Sequence, residues 1–158
     1  MQKDFVLRVF LDCEFTSMGL WSKLISIALV AENGCEVYLE PSDTWRYEDC
    51  SVFVTSTVLP QLWGGKYSLP LIEARTALLA YLGSLEGTIE IVTDSPRHDW
   101  RHFEDLIEVD GKWPPFLCRD PIDASKLEPT SEGADLPHHA LLDARIIAGM
   151  FKQQPKEQ

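Results

Sequence analysis

An α/β fold around a mixed sheet, antiparallel in its first three strands and parallel afterwards, with flanking helices, is what this sequence predicts. Three observations lead there. The first 40 residues hold three short apolar runs, and an Asn33-Gly34 pair separates the second from the third. Beyond them, helical periodicity alternates with short β-branched runs. The whole chain is 158 residues, the size of one domain with a proper core, and it contains no internal repeat or dividing linker.

The elements follow in order. Residues 7–12 (LRVFLD) are an apolar run ending in an acid, the pattern of a central strand. Residues 24–30 (LISIALV) are a second strand, and 35–39 (CEVYL) alternate as its hairpin return. Residues 41–65 carry Trp45, Tyr47, Phe53 and Trp63 among breakers such as Pro60 and Gly64-Gly65, and read as irregular connection. Residues 71–82 suit a helix stopped by Gly83, and 88–93 (TIEIVT) form a strand ending beside Asp94. Trp100, Phe103, Leu106 and Ile107 have the spacing of one helix face. Residues 116–118 are expected as a short strand, 125–137 as a loop, and 140–151 as a helix. Residues 1–152 are thus expected to be one domain, and 153–158 a disordered polar tail.

Composition narrows the function. Apolar residues make up 45% and charged residues 25%, as in an ordinary globular protein. No apolar run approaches the roughly 20 residues a membrane span needs, and the N-terminus is too soon interrupted by Asp12 to read as a signal peptide. A cytoplasmic protein without membrane contact is expected. Cys13, Cys35, Cys50 and Cys118 show no paired or zinc-like spacing and are expected as reduced thiols in or near the core. The net charge of −11 argues against coating long duplexes, where phosphate neutralisation dominates affinity. An acidic chain can still grip short or single-stranded nucleic acid if its carboxylates hold divalent cations.

The acids that stand out are placed accordingly. Asp12 and Glu14, at i and i+2 on a strand, project from one face and can reach one cation. Two anions at a buried strand end are costly without compensation. His138 and Asp143 open the last helix, five residues apart and so about 140° apart on a regular helix. They converge only if His138 precedes the first turn. The alternative is that His138 and His139 cap a solvated helix start, with Asp143 a surface charge. Asp99 is either the N-cap of the helix that follows it or a third carboxylate of the same site, and Asp94 at the strand end competes with it.

Taken together these segments resemble the DEDDh superfamily of 3′–5′ exonucleases, which has an RNase H-like fold. The residues carrying the resemblance are Phe10-Leu-Asp12-Cys-Glu14-Phe15-Thr16, His98-Asp99, and His138-His-Ala-Leu-Leu-Asp143-Ala144, in the family's order and across nearly the whole chain. The first segment, with the run 23–30 after it, looks most like the compact single-domain exoribonucleases of bacteria and phages. One departure is Ser95, where many relatives carry Asn four residues before the second-segment Asp.

The resemblance implies a metal-dependent exonuclease that trims single-stranded RNA or DNA from a free 3′ end to nucleoside 5′-monophosphates. It favours RNA, although the residues themselves leave the sugar open. It implies that Asp12, Glu14, Asp99 and Asp143 hold two divalent cations, Mg²⁺ or Mn²⁺, with Asp12 bridging and His138 as general base. Phe15, Thr16, Met18, Leu20 and Trp21 would contact the terminal bases; the alternative is that Leu20 and Trp21 pack beneath the second strand. Arg97, Arg101 and His102 are either phosphate contacts or a solvated helix face. Relatives are often homodimers, for which the Trp-rich stretch from Trp45 to Trp63 offers an interface. Two other functions compete: a haloacid dehalogenase-type phosphatase with Asp12 as nucleophile, which leaves His138 and Asp143 unexplained, and a non-catalytic nucleic-acid-binding module, which has no use for all five site residues.

Overall fold

Strand periodicity and burial explain the centre of the molecule. The computed structural model describes residues 5–126 and 136–152. In β1 (Val6–Phe15) the odd residues Leu7, Val9, Leu11 and Cys13 face one apolar layer, and Phe10 faces the other. Both faces of β1 are thus covered, which is why Val9-Phe10-Leu11 at its centre is continuously apolar rather than alternating. β2 (Leu24–Ala31) is buried along its whole length, and β3 (Glu36–Pro41) returns beside it. Gly34, at φ 94°, makes the turn between them, and Asn33 accepts a hydrogen bond from the Cys35 N–H at 2.9 Å.

Among the described residues the sheet has six strands, in the order β4 (Ser68–Leu69), β3, β2, β1, β5 (Thr88–Thr93), β6 (Ile122–Asp123). β1, β2 and β3 (Glu36–Pro41) are antiparallel, as expected. β5 runs parallel to β1, and β6 parallel to β5. β4 adds a two-residue parallel edge to β3. Helices α1 (Leu71–Ser84) and α2 (Pro96–Ile107) cover one face through Ala74, Leu78, Leu82, Phe103, Leu106 and Ile107. Helix α3 (Ala140–Lys152) covers the other through Ala140, Ala144, Ile147 and Ala148, small residues that let it lie close over Phe10, Ala28 and Val30.

Several expectations shift. α2 begins at Pro96, four residues earlier than its apolar stripe, because proline suits the first helical position. Residues 116–118 make only a single bridge, Leu117 to Ile89, and the strand beside the end of β5 is β6. Residues 41–65 are not simply irregular. They hold a tight turn at Tyr47–Asp49, a wide helical turn at Val54–Val58 and another tight turn at Leu59–Gln61. Val54 and Val58 from this stretch bury Ile25, with Trp45 packed alongside. Cys13 is buried as expected, whereas Cys35 is exposed. Among the described residues, no helix is long and apolar enough to cross a membrane. Residues 127–135 of the expected loop, and the whole of 153–158, lie outside the described residues.

Candidate active site

Two parallel strands end side by side where β1 and β5 finish, the position at which α/β sheets gather their ligands. A cavity of about 460 Å³ opens there. Asp12, Glu14, Asp99, His138 and Asp143 all line it, with Asp94. The five residues singled out in the sequence therefore converge on one place.

Each arrives by a different local device. Asp12 and Glu14 stand on the same side of β1, and the pairing with β2 shifts register between Glu14 and Phe15. Asp99 sits in the first turn of α2 rather than capping it; Ser95 precedes the helix, and the Asp99 N–H bonds to the Ser95 carbonyl at 2.9 Å. Thr93 at the end of β5 donates to Asp99 Oδ2 at 2.6 Å, which fixes the carboxylate direction. Asp143 lies in the first turn of α3.

The problem of the i, i+5 spacing is solved by the backbone. His138 lies two residues before α3, in the left-handed region at φ 62°. A non-glycine residue there carries strain. Gln61 anchors the approach, donating to the carbonyls of Pro137 and Thr57, both at 2.7 Å. The His138 ring meets Phe53 edge-on, centroids 5.0 Å apart. His138 is thereby aimed over Asp143, and a ring nitrogen of His138 lies within 4.8 Å of oxygens of Glu14 and Asp143. A second group, Asp12, Asp94 and Asp99, also has its oxygens within 4.8 Å of one another.

The electrostatics are one-sided. Asp12, Asp99 and Asp143 are 6%, 1% and 2% exposed. Burial, followed by the charges of Asp99, Glu14, Asp143 and Asp94, raises Asp12 well above the usual carboxylate range. Burial first and then Asp143 push Glu14 up to about 8. Burial lifts Asp99 to about 8 against the opposing Thr93 hydrogen bond. Burial carries Asp143 to about 6, opposed by His138 and backbone N–H groups. Asp12 Oδ2 and Asp143 Oδ1 are buried without any hydrogen-bond donor. Among the described residues, the Arg or Lys ion pairs are Arg8–Glu90, Lys23–Asp49 and Arg145–Glu36, none of them at this cavity. Among the described residues these carboxylates have no Arg or Lys partner, and their oxygens are the hard donors that Mg²⁺ or Mn²⁺ takes. The residues present fit such cations.

The surroundings divide. Phe15 and Met18 line the cavity. Phe15 stacks on His98 and His102, with centroids 5.6 and 5.5 Å apart. Thr16 is buried and closes the loop, its Oγ1 accepting from the Lys23 N–H at 3.0 Å. Leu20 and Trp21 are 84% and 90% exposed and border a neighbouring groove with Arg75 and Arg101, so they do not pack beneath β2. His102 is not part of a solvated face: it is buried beside Ser22, and burial holds it at about 4. Arg101 donates to the Leu20 carbonyl and the Ser22 hydroxyl.

His139 is no solvated cap either, since it lies buried between Tyr38 and Trp63, centroids 4.6 and 4.5 Å away. In the stretch read as offering an interface, Trp45 packs against the Ile25 cluster, and Trp63 contacts His139 while remaining 43% exposed. The sequence reading missed Ser17, Ser51, Phe53, Val54 and Val58 in the cavity wall. The spacing of Val54 and Val58 was the available signal, one helical turn apart.

Comparison with solved structures agrees with this geometry. The chain superposes on cell-death related nuclease 4 (CRN-4) with TM-score 0.62 at 19% identity, covering 95% of this chain and 64% of that one. It matches the nuclease domain of 3′hExo, described as a DEDDh family member bound to rAMP, with TM-score 0.62 at 16% identity, covering 96% and 92%. The chain has the RNase H-like α/β fold of these nucleases. A third match is the moderately thermophilic Exonuclease I from Methylocaldum szegediense, TM-score 0.58 and 15% identity, covering 96% of this chain and 42% of that one. The chain thus spans less than two thirds of CRN-4 and of that Exonuclease I. No protein-family model and no curated protein matches the sequence.

Proposed function

We propose that this protein is a metal-dependent 3′–5′ exonuclease that removes nucleoside 5′-monophosphates from single-stranded nucleic acid, with RNA preferred over DNA. The observation that carries the reading is the convergence of Asp12, Glu14, Asp99, Asp143 and His138 on one cavity, with two buried carboxylate oxygens lacking any donor. Asp12, Glu14, Asp99 and Asp143 hold two divalent cations, Mg²⁺ or Mn²⁺. Bound there, the cations supply the positive charge that the attacking water and the departing 3′-oxygen need near neutral pH.

The chain's own groups do the rest. Asp99, oriented by Thr93, and Asp12 hold the scissile phosphate's surroundings in a fixed arrangement. His138 takes the proton from the attacking water at a ring nitrogen, close to Asp143 and Glu14. The bond that breaks joins phosphorus to the 3′-oxygen, so the phosphate leaves with the terminal nucleoside. Phe15, Phe53 and Met18 offer an apolar wall on which any base can stack, which suits a sequence-tolerant enzyme. Trp21 and Leu20 extend apolar surface from the same loop towards the next nucleotides.

The phosphatase reading is the weaker one: an Asp12 nucleophile would be 6% exposed, hemmed by four further carboxylates, and His138 would have no task. The test is a gel time course on 5′-labelled RNA and DNA oligonucleotides, with and without a 3′-phosphate block. Expected is a ladder shortening from the 3′ end, supported by Mg²⁺ or Mn²⁺, stopped by EDTA and slowed by the block. Endonucleolytic fragments, or no cleavage with either metal, would overturn the reading.

A further inference from the structure

The cavity holds one more carboxylate than the exonuclease reading employs. In the parallel pair of β1 and β5, Phe10 stands opposite Val92. Asp12 lies two residues further along β1, and Asp94 stands in the bend just past the end of β5. The ends of the two strands thus come together, and the oxygens of Asp12, Asp94 and Asp99 lie within 4.8 Å of one another.

Acidic clusters are common on surfaces, but this one has a second mark. Asp12, 6% exposed, points an oxygen at the cluster that is buried and has no hydrogen-bond donor. Three carboxylates so close together, one of them with an orphaned buried oxygen, are neutralised by protons or by a cation. The other three-residue group, Glu14, His138 and Asp143, is separate in composition and offers a different donor set. Asp94 also borders an adjoining groove of about 290 Å³ with Arg97, His98, Asp123 and Ser125, so its position is open to solvent from a second side.

We infer that Asp94 is a direct cation ligand, completing with Asp12 and Asp99 a three-carboxylate position for one of the two divalent cations, while Glu14 and Asp143 hold the other. This rests on the exonuclease reading above. Two cations are then held by five carboxylates of this chain instead of four, and the cation at Asp94 is anchored by the protein before substrate arrives. The charge of Asp94, felt at Asp12, Glu14 and Asp99, agrees with a carboxylate facing that group.

The test is Mn²⁺ titration of the metal-free protein, followed by calorimetry and by the paramagnetic resonance signal of free Mn²⁺, on wild type, Asp94→Asn and Glu14→Gln. Wild type should take up two Mn²⁺ without substrate. Asp94→Asn should weaken one of them by at least about tenfold, the lower end of what even an outer-shell partner is worth, and leave the other. Glu14→Gln should weaken the site that Asp94→Asn spares. Melting curves supply an independent reading: Asp94→Asn, or the smaller change Asp94→Ser, should melt higher than wild type without metal, because a like charge has gone, and gain less when Mn²⁺ is added.

Two sites of unchanged affinity in Asp94→Asn, with the ladder intact in wild type, would overturn the role of Asp94 alone. A lower metal-free melting temperature in both Asp94 variants would also overturn it, as the sign of a structural residue. Absence of Mn²⁺ uptake and of cleavage in wild type would remove the exonuclease reading as well.

Discussion

Metal-free protein should lose stability as the pH rises through neutrality, against the habit of most proteins. Glu14 and Asp99 both stand at about 8 in the fold, raised chiefly by burial, and Asp12 is raised as well. Unfolded, all three are ordinary carboxylates at about 4. A raised folded value means that the native state holds protons the unfolded chain has released. The stabilisation is complete below the unfolded value and is lost as pH rises through the folded one.

Each proton held in excess lowers stability by about 1.4 kcal/mol per pH unit. One net proton is the least that so crowded a group implies, since its members do not titrate independently. Between pH 7 and 8 the loss is then about 1.4 kcal/mol, or about 3–6 °C of melting temperature for a chain of this length. Below about pH 6.5 the trend reverses in part, because buried His102 and His139 are held below their ordinary value and resist protonation in the fold. The assay is thermal unfolding by circular dichroism after EDTA treatment and dialysis, at half-unit steps from pH 5.5 to 8.5. A fall in melting temperature above pH 7, with a shallower slope below about pH 6.5, is expected, and millimolar Mg²⁺ or Mn²⁺ should flatten the fall by taking the place of the protons. A melting temperature that rises from pH 7 to 8 without metal would refute the reasoning.

Other substitutions probe separate parts. Phe53→Ala removes the ring beside His138 and an expected stacking surface, so KM for an oligonucleotide should rise about tenfold by loss of one stacking contact; an unchanged KM would exclude Phe53 from substrate contact. Because Phe53 is half exposed, melting should barely move. Glu40 is a buried carboxylate that accepts from the Tyr38 hydroxyl and from the N–H groups of Trp63 and Gly64 at 2.8 and 2.9 Å. Glu40→Gln turns an amide donor towards donors and should lose about 1–3 kcal/mol in urea unfolding, whereas an unshifted midpoint would show that the network relaxes freely. Gly87 has φ +90°, and a Cβ there would meet the Phe5 carbonyl oxygen at 2.5 Å. Gly87→Ala should therefore lose on the order of 1–3 kcal/mol, and full stability would contradict the close approach.

The parts of this site that were legible are those governed by a period. Asp12 and Glu14 share a face because side chains alternate along a strand, and that holds wherever the strand goes. The antiparallel start was readable because Asn33-Gly34 leaves few turn geometries. His138 was harder: regular helix geometry parts it from Asp143, and only a left-handed residue ahead of α3, following a Pro137 carbonyl that accepts from Gln61 76 residues earlier, brings them together. Nothing local predicts that contact. His139 was misjudged for the same reason, since Tyr38 and Trp63, which bury it, are distant in sequence. Residues 41–65 defeated periodic reading because turns of different pitch follow one another there, each too short to repeat. Asp94 looked like a rival to Asp99, whereas β5 and the first turn of α2 bring both to the same cavity.

The most direct measurement is mass analysis of the products released from single-stranded RNA in H₂¹⁸O with Mn²⁺, comparing wild type with His138→Ala at early times. The mechanism predicts nucleoside 5′-monophosphates carrying one ¹⁸O in the phosphate, with a shortened chain ending in an unlabelled 3′-hydroxyl. It also predicts that His138→Ala forms them about 10²–10⁴-fold more slowly. Nucleoside 3′-monophosphates, label on the shortened chain, or a His138→Ala rate equal to wild type would contradict it.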